Sequence, residues 1–589
     1  MPTPGPRYSP AALLPAACAV LLTGCSLASW REDADREVDT ILGDGIERVL
    51  GDRREWVQQP IALPPEAEPE PQPEPGANEA GSQSAAGATA PDDPQAPDPQ
   101  SADDQPADHQ PGDPGKTPAI AVDTDPAAMA ARAGDPVEPE ELYDLERALR
   151  TAVQQNRDFL ARREALYQAG LSLSLTRFNF GPQFNSAVSA LWSDRKIGNP
   201  QNQGSLSFGG SQILPTGGTL ALTSSVNGIW PYGNQNVIDS YSSSINATLT
   251  QPLLRGAGYM VSHESLTQAE RSLVYSIREF ERFRENFSIQ IARAYFDLVS
   301  QRQLLANEDT RYAGAVFDRR KAEALYQVDR NTQQEVFRAR RDEIQAQDQL
   351  ISARAAYDRA LDEFKIQLGL ATTAAIDVAD AEPPYEPVRL EVDSAVAAAR
   401  HNRLDLITQR QQVEDAERAL QIAENGLLPN LDLSARYGVV GSGTDVNSAR
   451  PENWSSSIGL EFDLPLQRKA QRNSYRNALI SLEQARRGLT LQEDQLDLDI
   501  RDALRQLKST EERVVLQEGQ IRQEQAAVTV SEIRYEAGTV DNRDLLEARQ
   551  ALVNAKNALI RLKVDHFLAR LSLLRDMGLF FVDDSGMWQ

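Results

Sequence analysis

The chain has 589 residues and a formal net charge of −26, of which residues 61–140 hold 17 acids against Lys116 and Arg132, leaving only about −11 for everything else. An acidic body offers no basic face to phosphates, which excludes nucleic acid as a partner. With two cysteines and four histidines, the composition also supports neither a disulfide framework nor a zinc-ligand set.

Residues 1–24 carry one basic residue, Arg7, and an apolar stretch from Ala11 to Leu22 too short to span a bilayer. That pattern predicts a signal peptide. Leu22-Thr-Gly-Cys25 closes it, so residues 25–59 are expected to form a mature N-terminus bearing a short amphipathic helix, with Val38, Ile41, Leu42, Ile46 and Val49 at helical spacing. Residues 60–136 are Pro, Ala, Asp, Glu and Gln with almost no large apolar side chain. Such a segment cannot offset the entropy of ordering, and a disordered linker is expected.

From Glu140 to about Phe178 helix formers return, then Gly, Ser, Thr, Asn and aromatics take over as far as Thr250. Alternation at Phe184, Val188, Ala190 and Trp192, at Leu206 and Phe208, at Leu220, Leu222 and Val226, and at Ile245, Ala247 and Leu249 predicts strands. A second strand region is cleaner: Leu431, Leu433, Ala435 and Tyr437, then Ile458, Leu460, Phe462 and Leu464, alternate with polar residues such as Asp432 and Glu461. No proline lies between Pro252 and Pro383 or after Pro465, so residues 259–328 and 468–537 predict rods of about 100 Å each. Seven-residue seams, interrupted at Arg284 and at His566, point to coiled-coil packing.

The chain repeats itself. Tyr326 to Arg340 aligns without a gap on Tyr535 to Arg549, about 209 residues later; Gly181-Pro182 matches Leu428-Pro429, and Gln251-Pro252-Leu253 matches Leu464-Pro465-Leu466. Residues 137–382 and 383–580 are therefore expected to be two repeats of helix, strands and helical hairpin, followed by a tail at 581–589. The first strand region is about 34 residues longer than the second, a surplus for extra strands or a loop. Strands with one apolar and one polar face, in an exported chain, suit a barrel wall. The same alternation fits a sheet lying on a soluble core. Two main strands per copy give about four per chain, too few to close a barrel alone, whereas three chains supply about twelve. The expected fold is an α+β membrane protein: a trimeric β-barrel continued by a long antiparallel coiled-coil α-helical barrel.

Leu428-Pro429-Asn-Leu, Asn453-Trp454-Ser, Leu464-Pro465-Leu466, Gln251-Pro252-Leu253-Leu254 and Tyr535-Glu-Ala-Gly538 followed by Asp544-Leu-Leu-Glu547-Ala548 stand in the order that the TolC-like outer-membrane efflux proteins show. The resemblance covers about residues 140 to 580. It implies a homotrimer in the outer membrane of a Gram-negative bacterium, lipid-anchored, with its helices in the periplasm. That trimer would dock a periplasmic adaptor and an inner-membrane transporter, and serve as the exit duct of a tripartite efflux or type I secretion system. Leu22-Thr-Gly-Cys25 resembles the lipoprotein box, which implies acylation of Cys25. Asp544 and Glu547 match the acidic pair at the family's periplasmic gate; three apart on a helix, they would form a ring of six carboxylates under threefold symmetry. Glu335, Tyr326, Tyr535 and Gly538 match the helical tips, where adaptor contact is implied. Gly538 would supply a left-handed turn that Asp329, its counterpart, tolerates less easily, so the two tips are expected to differ in shape. The family's basic residue after the tip glycine is absent, Val540 standing there.

No chemistry is indicated. His109, His263, His401 and His566 stand alone, Gly438 to Gly443 lacks phosphate-binding spacing, and no nucleophile elbow occurs. The expectation is a duct that is not an enzyme and has no cofactor or metal. The rival reading is a periplasmic coiled-coil scaffold lipoprotein without a pore.

Overall fold

The computed structural model describes residues 27–50, 141–193, 201–231, 238–330, 332–379, 381–537, 539–540, 542–583 and 585–588. Residues 1–59 and 140–589 form one unit, and Pro60–Pro139 a second that falls outside the described residues. The signal peptide, Cys25, the linker and Gly538 lie outside them too.

In chain order the helices are α1 (Leu27–Leu50), α2 (Leu145–Gln155), α3 (Arg157–Phe180), α4 (Tyr259–Ser262), α5 (Glu264–Gln327), α6 (Gln333–Leu368), α7 (Val392–Asn402), α8 (Leu404–Asn425), α9 (Lys469–Glu536) and α10 (Asn542–Asp576). The strands are β1 (Glu141–Tyr143), β2 (Gln183–Ser193), β3 (Gln201–Ile213), β4 (Thr219–Pro231), β5 (Ser240–Pro252), β6 (Ile376–Val378), β7 (Asn430–Gly443) and β8 (Asn453–Asp463). Two short helices, strands, a long helix and a shorter helix thus occur twice. Starts and stops follow local chemistry. Asp144 accepts from the Arg147 N–H, Asn156 from the Phe159 N–H and Thr332 from the Glu335 N–H, each occupying a donor that a helix start leaves free.

The rods pack as antiparallel hairpins, α5 with α6 and α9 with α10, while α3 lies on α5 and α8 on α9. Leu273, Ile277, Phe280, Phe287, Ile291 and Leu298 of the α5 seam are buried, as the seven-residue spacing requires. Both interruptions are buried as well. Arg284 is 4% exposed; it pairs with Glu281 at 2.9 Å and donates to the carbonyls of Val582 at 3.2 Å and Asp583 at 2.8 Å. His566 has its Nε2 3.4 Å from Glu511 and its ring against Tyr385. The residues expected to be a tail therefore fold back: Val582 pairs with Trp588, whose ring packs on Phe567 and Phe580.

Helix α1 docks on α3 and α5 by burying Val38, Ile41, Leu42 and Ile46, each contributing about 1.5 kcal/mol or more. Two glycines let the helices approach: a Cβ on Gly170 would lie 2.8 Å from Val38 Cγ1, and one on Gly45 2.7 Å from Ile277 Cδ1.

The main sheet corrects the expected strand number. It has six strands in the order β2-β3-β4-β5-β7-β8, all antiparallel, instead of about four. The surplus of the first copy is a hairpin, β3 and β4, inserted between β2 and β5 and hydrogen-bonded on both sides. Separately, β1 pairs in parallel with β6.

Candidate functional site

The register of the six strands sorts their side chains onto two faces, because successive residues of a strand point to opposite sides. On one face stand Phe184, Val188 and Trp192 of β2, Leu206 and Phe208 of β3, and Leu220, Leu222, Val226 and Trp230 of β4. Tyr241, Ile245 and Leu249 of β5 continue it, followed by Leu433, Ala435 and Tyr437 of β7 and Trp454, Ile458, Leu460 and Phe462 of β8. Among the described residues none covers this face at its edges: Phe184 is 73% exposed and Ile458 81%. An apolar surface of that extent marks contact with lipid or with another protein.

Aromatic residues line the rim farthest from the helices. Trp192, Trp230, Tyr241 and Trp454 all lie there, at the ends of β2, β4, β5 and β8. Trp230 Nε1 donates to the Tyr241 hydroxyl at 2.6 Å. Near the opposite rim stand Phe184 and Phe462, eight residues from Trp192 and Trp454, which at about 3.3 Å per residue sets the rings about 26 Å apart along the strand. Barrels of outer membranes show an apolar band about 25 Å tall between two such girdles.

The other face is hydroxyl and amide. Ser189 meets Ser205 at 2.7 Å and Ser225 meets Ser244 at 2.9 Å, with Thr223, Asn227, Asn246, Ser434 and Ser457 around them. Its charges are few and gather toward the helical end, where Asp432 faces Glu461 across β7 and β8. Among the described residues, the outer edges of β2 and β8 pair with no strand. Exposed edges of such length are templates for pairing with another chain.

At the other end of the rods the two tips share one backbone hydrogen bond. The Arg330 N–H donates to the Leu325 carbonyl and the Thr539 N–H to the Arg534 carbonyl, both at 2.9 Å and at matching positions of the two copies. Asp329 adopts the left-handed conformation, with φ of 54°. The tips differ in charge. Glu335 is paired with Arg338 at 2.7 Å on its own helix. Asp544 and Glu547 are exposed on the first turns of α10, either side of buried Leu545, and among the described residues neither joins an ion pair.

Glu335 and Glu547, expected to serve different roles, line one groove of about 800 Å³ between α5, α6 and α10, together with Arg338, Arg341, Arg543 and Arg549. Tyr326 is exposed at the first tip, whereas Tyr535 is half-buried under the Lys321 ammonium, 4.5 Å from the ring centre. Burial, and then the charge of Asp318, push the Tyr535 hydroxyl above its ordinary pKa. Sequence reasoning missed Arg549, which spans Glu532 on α9 at 3.1 Å and Asp318 on α5 at 3.4 Å. Its signal was present in the aligned repeat, where Arg340 reaches Glu323 in the same way. His263 stacks between Tyr259 and Phe180, and among the described residues no group of three metal-capable side chains converges. No described helix is long and apolar enough to cross a membrane.

A sheet with a girdled apolar face and open edges, joined to helical rods, has the features of one protomer of an outer-membrane channel. The model of the family described as outer membrane efflux protein matches residues 395–578. The outer membrane protein TolC of Escherichia coli K12 is 23% identical over 398 residues, covering 62% of this chain and 75% of that protein. The alkaline protease secretion protein AprF of Pseudomonas aeruginosa is 25% identical over 356 residues, covering 56% of this chain and 68% of its own. Among solved structures, the outer membrane protein VceC of Vibrio cholerae has the same fold, with a TM-score of 0.56, 17% identity and coverage of 74% of this chain and 96% of its own. The outer-membrane channel OprN superposes with a TM-score of 0.57 at 15% identity, covering 76% and 95%. Residues 395–578 thus match the outer membrane efflux protein family, and the chain is similar in sequence and in fold to TolC-like outer-membrane proteins.

Proposed function

We propose that three copies of the chain form a passive exit duct for efflux or secretion. The β8 edge of each copy pairs with the β2 edge of the next, and the helical rods continue the bore into the periplasm. The observation that carries this reading is the single apolar face running without interruption over six strands that end in two open edges. Strand directions allow it, since β2 and β8 run oppositely and their pairing extends the antiparallel order. A scaffold without a pore leaves this face in water.

In this duct Cys25 bears the lipid after removal of residues 1–24, and 60–136 is a tether. Residues 137–382 and 383–580 are the two repeats, and Asp544 with Glu547 forms the acidic ring at the periplasmic entrance. The tips, with Glu335, Tyr326, Tyr535 and Gly538, receive the adaptor, which joins the duct to an inner-membrane transporter. The unpaired carboxylates of α10 suit a ring facing its symmetry mates, because a charge satisfied within its own chain, as Glu335 is, has less to offer across an axis. Purified protein in a planar bilayer should give stepwise, cation-preferring conductance; a protein that inserts and gives no steps would refute the duct.

A further inference from the structure

The inserted hairpin is part of the wall. The second copy passes from β7 to β8 over residues 444–452, whereas the first places β3 and β4 between β2 and β5, each paired along its length. A hairpin serving only as an external loop would have no need to continue the apolar face, yet Leu206, Phe208, Leu222 and Val226 lie in the same band as Val188 and Ile245. Nor would it need to set an indole flat on the sheet. Trp230 lies over Gly204 and Gly228, where a Cβ would meet its ring at 3.0 Å and 2.7 Å, and it completes the aromatic rim with Tyr241.

We infer that this hairpin widens the outer mouth of the duct, so that the exit passes solutes as broad as a polypeptide hairpin and leaves size selection to the helical end. The inference rests on reading the sheet as one third of a closed wall. Barrel diameter grows about linearly with strand number. With strands about 4.8 Å apart and tilted about 40°, three chains of four strands give a backbone diameter of about 24 Å, and three chains of six about 36 Å. Side chains take about 5 Å on each side, leaving bores of about 14 Å and about 26 Å. On the inserted strands the middle of the polar face carries small groups, Ser205, Ser207, Gly209, Thr223 and Ser225, which occlude little of the gain, with the longer amides of Gln203 and Asn227 nearer the outer rim.

Two measurements test this. Neutral polyethylene glycols of graded size are added to the outer side only of a bilayer holding the full-length protein, and the size that no longer lowers conductance is read. From the scaling of bore with strand number, the expected cut-off is about 26 Å for the natural chain and about 14 Å for a variant lacking residues 201–231. A natural chain with the smaller cut-off, or two conducting channels with equal cut-offs, overturns the inference while leaving the duct standing; absence of any conductance removes both. Should the deletion fail to insert, single cysteines decide: a fluorophore on L206C or V226C should be quenched at least twofold more by brominated lipid than one on S205C or S225C. Equal quenching of all four by aqueous iodide would place the hairpin outside the wall.

Discussion

Arg340 lies 2.9 Å from Glu323 across the first helical hairpin, and the same pair recurs in the second copy as Arg549 and Glu532 at 3.1 Å. Both clasps join the two arms of a hairpin near its tip, and each sits beside the same turn bond. The second has gained a further partner, Asp318 of α5, so it also ties the two hairpins together. R549A should therefore loosen the second tip more than R340A loosens the first. Limited proteolysis at the two tips of assembled protein measures this, and equal cleavage would assign Arg549 no role between hairpins.

Asp318 and Glu323, on one helix, respond to pH in opposite senses. Burial raises the Asp318 carboxyl above its ordinary value, against the pull of Arg549 and Lys321; its contribution to stability is full below the unfolded value of 3.8 and is lost as pH rises through the folded one. The hydrogen bond from Arg340 lowers Glu323, whose contribution is present above 4.5 and lost as pH falls through the folded value. D318N should thus flatten the pH dependence of tip protection on the upper side of the ordinary carboxylate range, and E323Q on the lower side. Proteolytic half-lives across a pH series would show it, and the opposite assignment would contradict the burial of Asp318.

At the proposed entrance, D544A combined with E547A should reduce cation preference and widen the resting aperture, because two unpaired carboxylates per chain are removed from the axis. Reversal potentials under a salt gradient report the first effect. Unchanged selectivity would place both side chains outside the bore.

Arg284 holds the returning C-terminal segment and neutralises buried Glu281. R284M removes one partner of a buried ion pair and two carbonyl donations, a loss of about 3 kcal/mol or more. Thermal unfolding of the solubilised protein should fall by several degrees, with residues 582–588 exchanging hydrogen freely. No change in either would mean that the segment is held by its aromatic contacts alone.

Gly170 and Gly45 seat α1. Replacing Gly170 by leucine fills the space of Val38 and Leu42 and should release residues 27–50 to protease while the rods stay folded. Persistent protection would show that the helix docks by another face.

Much of this architecture was legible in the residues, and the gaps have physical reasons. Beta strands with strong alternation, such as Ile458, Leu460 and Phe462, and rods free of proline declared themselves by period alone. The inserted hairpin showed as strands but not as wall, because β3 offers Leu206, Phe208 and the terminal Ile213 among Gly, Ser, Asn and Gln, and its place depends on neighbours in register. Arg284 and His566 read as flaws in a seam, since nothing in the local pattern reveals the carbonyls of residues 582 and 583 or the carboxylate of Glu511 waiting for them. Close helix approach at Gly170 was equally hidden, the small residue being informative only once its partner is known. At the tips, the family resemblance and the aligned repeat located the acids, but whether each is satisfied depends on side chains elsewhere on its own helix or on the other arm of the hairpin.

Oxidative cross-linking between the two sheet edges tests most directly whether sister chains complete the wall. A cysteine replacing Ala187 in β2 is combined in turn with one at each position of β8, and the products are separated under denaturing conditions. A closed trimer predicts dimer and trimer bands at a few adjacent β8 positions and nothing larger. Monomer at every position, or a ladder continuing beyond three chains, would contradict it.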